Sequence, residues 1–427
     1  MISCLKPVRL GLLSKAQLVR KLSNAPELFK VLSDPVKMTE RGIEVDGKEF
    51  LHMETRNMCK CEACYGRFSH QRTDLPYRGA MDFPDIRVSD IGRTSENYIS
   101  LKWSDDHEGV IARNKRGNFG PDPIISRVEN WFDLTCRKNS AQKFWSTPDE
   151  DVTKRWDYSW VVKNQENTIE FLTHYMKYGI GLLVDIPRHL GMMEIVEEGL
   201  KIKPLRRTCF SAVDLVRFKP NPDNVGYGSG PLNLHSDLPY FNQAPHVQFF
   251  HLLENTVIGG DSYWIDTFPI LKELSEKRPD LFEILKTIPM VWRYSPPGTG
   301  IYQLSRQCVV KMQGDEIWQT VDAPQSMDPD TFARTTSLRD REMWWEAYNY
   351  YRRLVDQEDR IFSRKLNGGE FVMTDNFRVF HARRSFFKTS EEQERIVSTS
   401  YMDWNIMVSR VLSTEKGDSA FLEVREH

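Results

Sequence analysis

His235 and Asp237 stand two residues apart in Asn233-Leu234-His235-Ser236-Asp237-Leu238-Pro239-Tyr240. Residues i and i+2 of an extended strand face the same side, so imidazole and carboxylate are expected to converge on one point. A neutral nitrogen and an anionic oxygen make half of a site for a divalent metal. A second imidazole would give two His and one carboxylate on one face of an octahedron, with three positions open for non-haem Fe(II) oxygen chemistry. Alone the pair is a weak signal, because a surface His beside a turn-forming Asp is common. The second imidazole is expected to be His381, near the end of a short strand within the run from Asp375 to Ser385. His246, His251 and His174 are rivals. His251 alternates with apolar residues and reads as a satisfied core imidazole, and His246 follows a proline in a loop.

A second group of ligand-type residues is Cys59, Cys61 and Cys64. Thiolates at these spacings can close on one tetrahedral zinc and leave one position for a fourth ligand. His70 and His107 compete for it, and spacing alone slightly prefers His70. With four protein ligands such a site is closed and structural. The chain has 7 cysteines in all. An odd count with three packed together argues against a disulfide framework and for a reducing compartment.

The elements that must carry these groups read as follows. From about Val31 to Trp145 the pattern is β-rich, with a strand running into an Asp46-Gly47 turn and another at Asn97 to Trp103. Ala141 to Asn167 reads as a linker with aromatic anchors. Helical spacing predicts helices over Asn164 to Tyr178, His189 to Leu200, Pro269 to Ile288 and Arg339 to Gln357. In the last of these, Trp344, Tyr348 and Tyr351 mark a buried face. Short strands are expected at Leu182–Val184, Val213–Phe218, Val247–Leu253, Tyr263–Phe268, Phe371–Thr374, Arg378–Ala382 and Ile396–Met402. The fold class expected is mainly β with helices (α+β): a double-stranded β-helix, or jelly roll, with the metal group in its mouth, plus a small N-terminal zinc-binding β-rich domain. The divisions expected are 1–26, 27–145 and 146–427.

Composition sets limits. The 427 residues are 40% hydrophobic and 28% charged, ordinary for a globular protein. With 58 basic against 60 acidic residues, there is no overall basic excess for a nucleic acid backbone, and no motif for one. No apolar run reaches membrane-spanning length. Met1 to Asn24 is basic, contains serines and lacks acids, with Leu10, Leu12, Leu13, Leu18 and Leu22 able to share a helical face. That pattern is expected of a mitochondrial targeting segment; the alternatives are a disordered basic start and a cytoplasmic protein.

Taken together, His235-Ser236-Asp237, the strand into Gly259-Gly260-Asp261-Ser262, the Asp375 to Ser385 run, Arg395 to Trp404, the cysteine cluster and Trp103-Ser104-Asp105-Asp106-His107 resemble the family of gamma-butyrobetaine and trimethyllysine dioxygenases. The resemblance covers nearly everything from about Val31 on. It implies Fe(II) ligands His235, Asp237 and His381. It implies that Arg395 grips the distal carboxylate of 2-oxoglutarate, assisted by Ser262, a role that suits the guanidinium fork. It implies zinc ligands Cys59, Cys61, Cys64 and His107, displacing His70. For the substrate it implies an aromatic cage around a quaternary ammonium, matched by Phe210, Tyr227 and Tyr401, with Asn224 near the polar end. Asp214 departs from the pattern, standing where a cage tryptophan is found. The activity implied is hydroxylation of gamma-butyrobetaine to L-carnitine, with trimethyllysine or another cationic amino acid as the alternative. Ascorbate dependence and a homodimer come with the resemblance. A reading of another class is a non-catalytic zinc-bearing interaction module, which predicts loss of a metal ligand or of the arginine; none is lost.

Overall fold

The computed structural model describes residues 36–45, 47–61, 63–64, 86–94, 98–112 and 142–412. The segment 1–26 and His70 lie outside them. The chain divides into two compact units, 1–129 and 130–427.

In the first unit, Lys37–Met38, Gly42–Val45 and Lys48–Leu51 form one antiparallel sheet. Val88–Thr94, Tyr98–Trp103 and Glu108–Ala112 form another. Every second residue of Tyr98–Trp103 is buried, the period of a half-buried strand. Ile99, Leu101 and Trp103 pack with Ile43, Val45 and the Cys59 and Cys64 side chains.

The second unit is built on two sheets. The larger runs in the order Arg155–Asp157, Ile180–Val184, Phe371–Asp375, Val247–Asn255, Arg395–Met402, Val213–Arg217, antiparallel except for its first pair. The smaller runs Leu232–His235, Val379–Arg383, Ser262–Asp266, Phe362–Arg364. Trp264, Phe362 and Val379 of the smaller sheet share one core with Ile180, Leu252, Val372 and Val397 of the larger, so the two sheets face each other. The outer face of the larger sheet is covered by helices Gln165–Tyr178 and Trp404–Leu412, through Phe171, Leu172, Met407 and Val408. Strands buried on both faces need no polar alternation, which is why Phe371–Asp375 and Arg395–Met402 are buried at every position. The helix Leu338–Val355 buries Trp344, Tyr348 and Tyr351 as its spacing requires.

Several expectations change. The stretch read as a linker belongs to the fold. Trp145 is buried, its indole N–H donates to the Tyr178 carbonyl at 3.0 Å, and Arg155–Asp157 adds a strand to the larger sheet. The helix expected over Pro269 to Ile288 is two, Thr267–Lys277 and Pro279–Thr287. Pro279 lacks an N–H and forces the preceding Arg278 out of the helical region, to φ −141° and ψ 68°. The helix expected over His189 to Leu200 winds over 192–199, and its last part, Glu194–Gly199, is a wide turn that buries Ile195 and Val196. His251 is fully buried, but among the described residues neither ring nitrogen has a hydrogen-bond partner. Burial pushes its pKa down to about 4, so it is an uncharged, unsatisfied imidazole rather than a satisfied one.

Candidate active site

His235 ends the strand Leu232–His235, and His381 lies mid-strand in Val379–Arg383. The two are paired directly across the antiparallel ladder, which sets their ring centroids 4.2 Å apart. Asp237 is not in the strand. Its approach comes from a turn just past the strand end, where Leu238 holds a left-handed φ of 58°. A branched side chain seldom adopts that backbone, and such strain collects where a site demands it. The turn is pinned from the other sheet partner: Asp237 N–H donates to Asn376 Oδ1 at 2.7 Å, and Asn376 Nδ2 donates to the Asp237 carbonyl at 3.0 Å and to Pro245 at 2.9 Å. The expectation of two side chains on one face of one strand is thus corrected: the convergence is real, but a buried asparagine from a distant segment imposes it.

Asp237 Oδ1 lies 3.3 Å from His235 Nε2 and 3.9 Å from His381 Nε2. The second oxygen, Oδ2, accepts from Tyr401 Oη at 2.7 Å and from Gln248 Nε2. One carboxylate oxygen is therefore committed to the protein and the other is presented to the imidazoles. His235 Nδ1–H donates to the Asn233 carbonyl at 2.7 Å, which fixes the tautomer with a lone pair on Nε2. Burial, and then the neighbouring His235, pushes the His381 pKa down to about 3, so its imidazole is neutral as a ligand must be. Burial opposes ionisation of Asp237, but the imidazoles and the Tyr401 hydroxyl outweigh it and hold this carboxyl below its usual range. Two lone pairs and one anionic oxygen converging from one side fit a divalent metal with open positions opposite.

These groups open into a cavity of about 380 Å³. Alternate residues of Arg395–Met402 line it, namely Arg395, Val397, Thr399 and Tyr401, so the strand lays an arginine at one end and the metal group's hydroxyl partner at the other. Arg395 is buried, and among the described residues its Nε has no hydrogen-bond partner. Burial, then the nearby Arg383, pulls its pKa down to about 9. A guanidinium remains charged in proteins, so that direction reports a buried cation lacking an anion. Arg383 is not the anion seat, because its guanidinium donates to the carbonyls of Gly226, Gly228 and Gly230 at 3.0, 2.6 and 2.7 Å. Those bonds tie the cavity's rim loop to the His381 strand. Gly260, at φ 73°, comes so near Arg395 that a Cβ there would sit 3.5 Å from its Cδ and Nε. Ser262 lines the same end of the cavity, paired in register with Arg383. A carboxylate-bearing ligand fits this end.

Phe210, Asp214, Asn224, Tyr227 and Tyr401 all line the cavity. Tyr401 is as much a partner of Asp237 as a wall. Asn224 Oδ1 accepts from Gly226 N–H at 2.8 Å, shaping the rim. Tyr227 Oη donates to Asp214 Oδ2 at 2.8 Å. Tyr240 and Tyr294, not singled out from sequence, extend the aromatic wall: their rings stack at 5.1 Å, and Tyr294 meets Phe210 at 5.3 Å. Gln248 was missed too, although a glutamine inside the apolar run Val247–Asn255 is itself a signal that a buried partner awaits it. The rivals are elsewhere. His246 is stacked between Phe377 and Trp404, and His174 packs on Trp156 and Tyr178.

Removing the Asn376 clamp should loosen the metal group without deleting a ligand. Asn376→Ala is expected to weaken Fe(II) binding about 10–100-fold, the usual cost of losing a ligand's supporting bond. Metal titration followed by circular dichroism, to show the fold retained, checks it.

In the first unit, His107 Nε2 lies 3.4, 3.5 and 3.4 Å from the sulfurs of Cys59, Cys61 and Cys64. A tetrahedral zinc with ordinary bond lengths separates nitrogen and sulfur by about 3.5 Å. A Cβ on Gly109 would strike Cys59 Sγ at 2.2 Å, so the cradle is closed by a residue with no side chain. Burial, with Cys64 and Cys61 nearby, pushes the Cys59 thiol up to about 12. Protons must therefore leave when a metal enters. Arg56 bonds Cys64 Sγ at 3.3 Å and Asp105 at 2.9 Å, supporting the cluster from outside.

Comparison with known proteins agrees with this geometry. Gamma-butyrobetaine dioxygenase of Homo sapiens is 24% identical over 360 residues, covering 83% of this chain and 88% of that one. The protein of the same name from Pseudomonas sp. (strain AK-1) is 24% identical over 371 residues, 86% and 91%. The mitochondrial trimethyllysine dioxygenase of Bos taurus is 20% identical over 362 residues, 79% and 77%. A family described as Taurine catabolism dioxygenase TauD, TfdA matches residues 155–401, a span that takes in both imidazoles, the carboxylate between them and the orphan arginine. With more than half its length matched, the chain belongs to the TauD/TfdA family and is a 2-oxoglutarate-dependent dioxygenase.

Proposed function

We propose that the chain hydroxylates a small substrate bearing a cationic nitrogen, with gamma-butyrobetaine as the first candidate and L-carnitine as its product. The observation that carries the reading is the buried Arg395, whose Nε has no partner among the described residues, sharing one cavity with the His235–Asp237–His381 group, while aromatic rings and Asp214 line the same space. Fe(II) would be held by His235, Asp237 and His381, and 2-oxoglutarate by Arg395 with Ser262. Bound together with O₂ they supply the oxidation, in which 2-oxoglutarate becomes succinate and CO₂ and a substrate C–H becomes C–OH. The protein's own part is orientation and shelter. Arg395 fixes the cosubstrate's direction through a two-pronged grip. Tyr401 and Gln248 hold Asp237 in one rotamer, and the aromatic wall excludes water. The two facing sheets are read as a double-stranded β-helix with this cavity in its mouth.

Trimethyllysine or another cationic amino acid is the second reading, favoured by Asp214, a carboxylate where rings alone would suffice for a betaine. Incubating the enzyme with Fe(II), 2-oxoglutarate, ascorbate and each substrate, and detecting the hydroxylated product by mass, separates the two. A homodimer and a mitochondrial location belong to the same reading, supported by the resemblance and the basic, acid-free first 24 residues.

Cys59, Cys61, Cys64 and His107 are proposed to hold one structural zinc. Cys64→Ala should lose that equivalent, read by metal analysis of the purified chain, while iron binding in the second unit persists.

A further inference from the structure

We propose that the cation end of the cavity reads its ligand as an N–H donor to Asp214, so that an incompletely alkylated ammonium is preferred over a quaternary one. The inference rests on the reading above that the substrate is a small cation; it narrows the class of nitrogen, and on it a less alkylated amine of the same skeleton displaces gamma-butyrobetaine itself as the first candidate.

Asp214 sits on the edge strand Val213–Arg217, where Asp214 and Val216 turn into the cavity and Leu215 and Arg217 face solvent. It is paired with Thr399, four residues along the neighbouring strand from Arg395. At the usual rise per residue that is about 13 Å, so the carboxylate serves a different end of the ligand from the arginine. Tyr227 Oη occupies Oδ2. Among the described residues Asp214 forms no ion pair, and Lys219, a cation whose charge acts on it, is bonded to Asp223 Oδ1 at 3.0 Å. Burial raises the Asp214 carboxyl, and the Tyr227 hydroxyl, the Leu215 N–H and the charge of Lys219 only partly reverse this. A carboxylate so placed is completed by a donor that the ligand brings.

The rings point the same way. Lys219 Nζ lies 3.9 Å from the Tyr227 ring centroid, so one face of that ring already holds a cation. A second cation on the opposite face meets its repulsion, which weakens the ring attraction on which quaternary ammonium recognition depends. A quaternary nitrogen also has no hydrogen to give, and it would cover Asp214 while leaving the free lone pairs dry and unmatched. A protonated primary, secondary or tertiary amine makes a charge-assisted bond there instead.

The test is a matched series on the carbon chain of gamma-butyrobetaine: the primary amine, the monomethyl and dimethyl amines, and the trimethylammonium compound itself. Product formation by mass gives kcat and KM with the full chain, Fe(II) and 2-oxoglutarate, and calorimetry on the same loaded chain without O₂ gives affinity. The N–H-bearing members should bind about tenfold or more tighter than the trimethyl compound, the scale of one charged hydrogen bond, with the difference in KM rather than kcat. Asp214→Asn should erase that ranking, and Asp214→Trp should reverse it. A wild-type chain that prefers the trimethyl compound, or an Asp214→Asn chain that keeps the wild-type ranking, overturns the inference and leaves the proposed function standing. If no member of the series binds or reacts, gamma-butyrobetaine falls as the first candidate, and the inference with it, and the amino-acid reading is what stands. The wild-type ranking decides the matter even if a variant does not fold.

Discussion

Asp237→Asn is expected to lower succinate release and product formation by at least about 10³-fold, with loss of bound iron, because the metal group acts as a unit. The reason lies in which way the new amide must turn. The Oδ2 position faces two donors, Tyr401 Oη and Gln248 Nε2. Gln248 is itself held, with Thr374 Oγ1 donating to its Oε1 at 3.4 Å. An asparagine therefore places its carbonyl oxygen toward them and its NH₂ toward His235 and His381. An amide nitrogen has no lone pair to offer a metal, and it points hydrogens where the metal's charge would lie. Iron content by metal analysis and turnover by mass spectrometry read the two consequences separately. An Asp237→Asn chain that keeps its iron and more than a tenth of its activity would show that Asp237 is not a ligand.

That orientation argument marks the boundary of what residues in order can tell. The types and rough place of the metal group were legible only in combination, because His-x-Asp is common by itself and gains meaning from the distant His381 and the run around it. The strands were legible too, since β-branched and aromatic residues crowd runs such as Phe371 to Asp375, although Arg395 to Met402, buried at every position, carries Arg395, Ser398, Thr399 and Ser400 among its apolar residues. What was not legible is why the groups meet. Asp237 lies past the end of its strand and is set by Asn376, which is close only once the sheets have formed. Spacing favoured His70 for the zinc-type cluster. His107 reaches it instead because the hairpin of Tyr98–Trp103 and Glu108–Ala112 carries its turn to the cysteines, and Asp106 at φ 58° makes that turn. The break at Pro279 was readable from proline chemistry alone. Lys219 over Tyr227 was not, because nothing in the order of residues says which face of a ring a lysine will cover.

Arg395→Met should move two measurements in opposite directions. Affinity for 2-oxoglutarate is expected to fall about 100-fold or more, since a bidentate, charge-assisted grip on a buried carboxylate is lost. Arg395→Lys should fall between the two, because an ammonium supplies the charge without the fork. Stability of the chain without cosubstrate should go the other way. Arg395 is buried, its Nε has no partner among the described residues, and Arg383 is a like-charged neighbour. Replacing an uncompensated buried cation with an apolar side chain of similar length is expected to stabilise the fold by about 1–4 kcal/mol. Saturating 2-oxoglutarate should raise the melting temperature of the wild-type chain by mass action and leave the methionine variant almost unmoved. Calorimetric titration and thermal unfolding, each with and without 2-oxoglutarate, give all four values. A residue that served only packing would lose stability on substitution and keep its response to the cosubstrate, so the opposed signs distinguish an anion seat from a structural arginine.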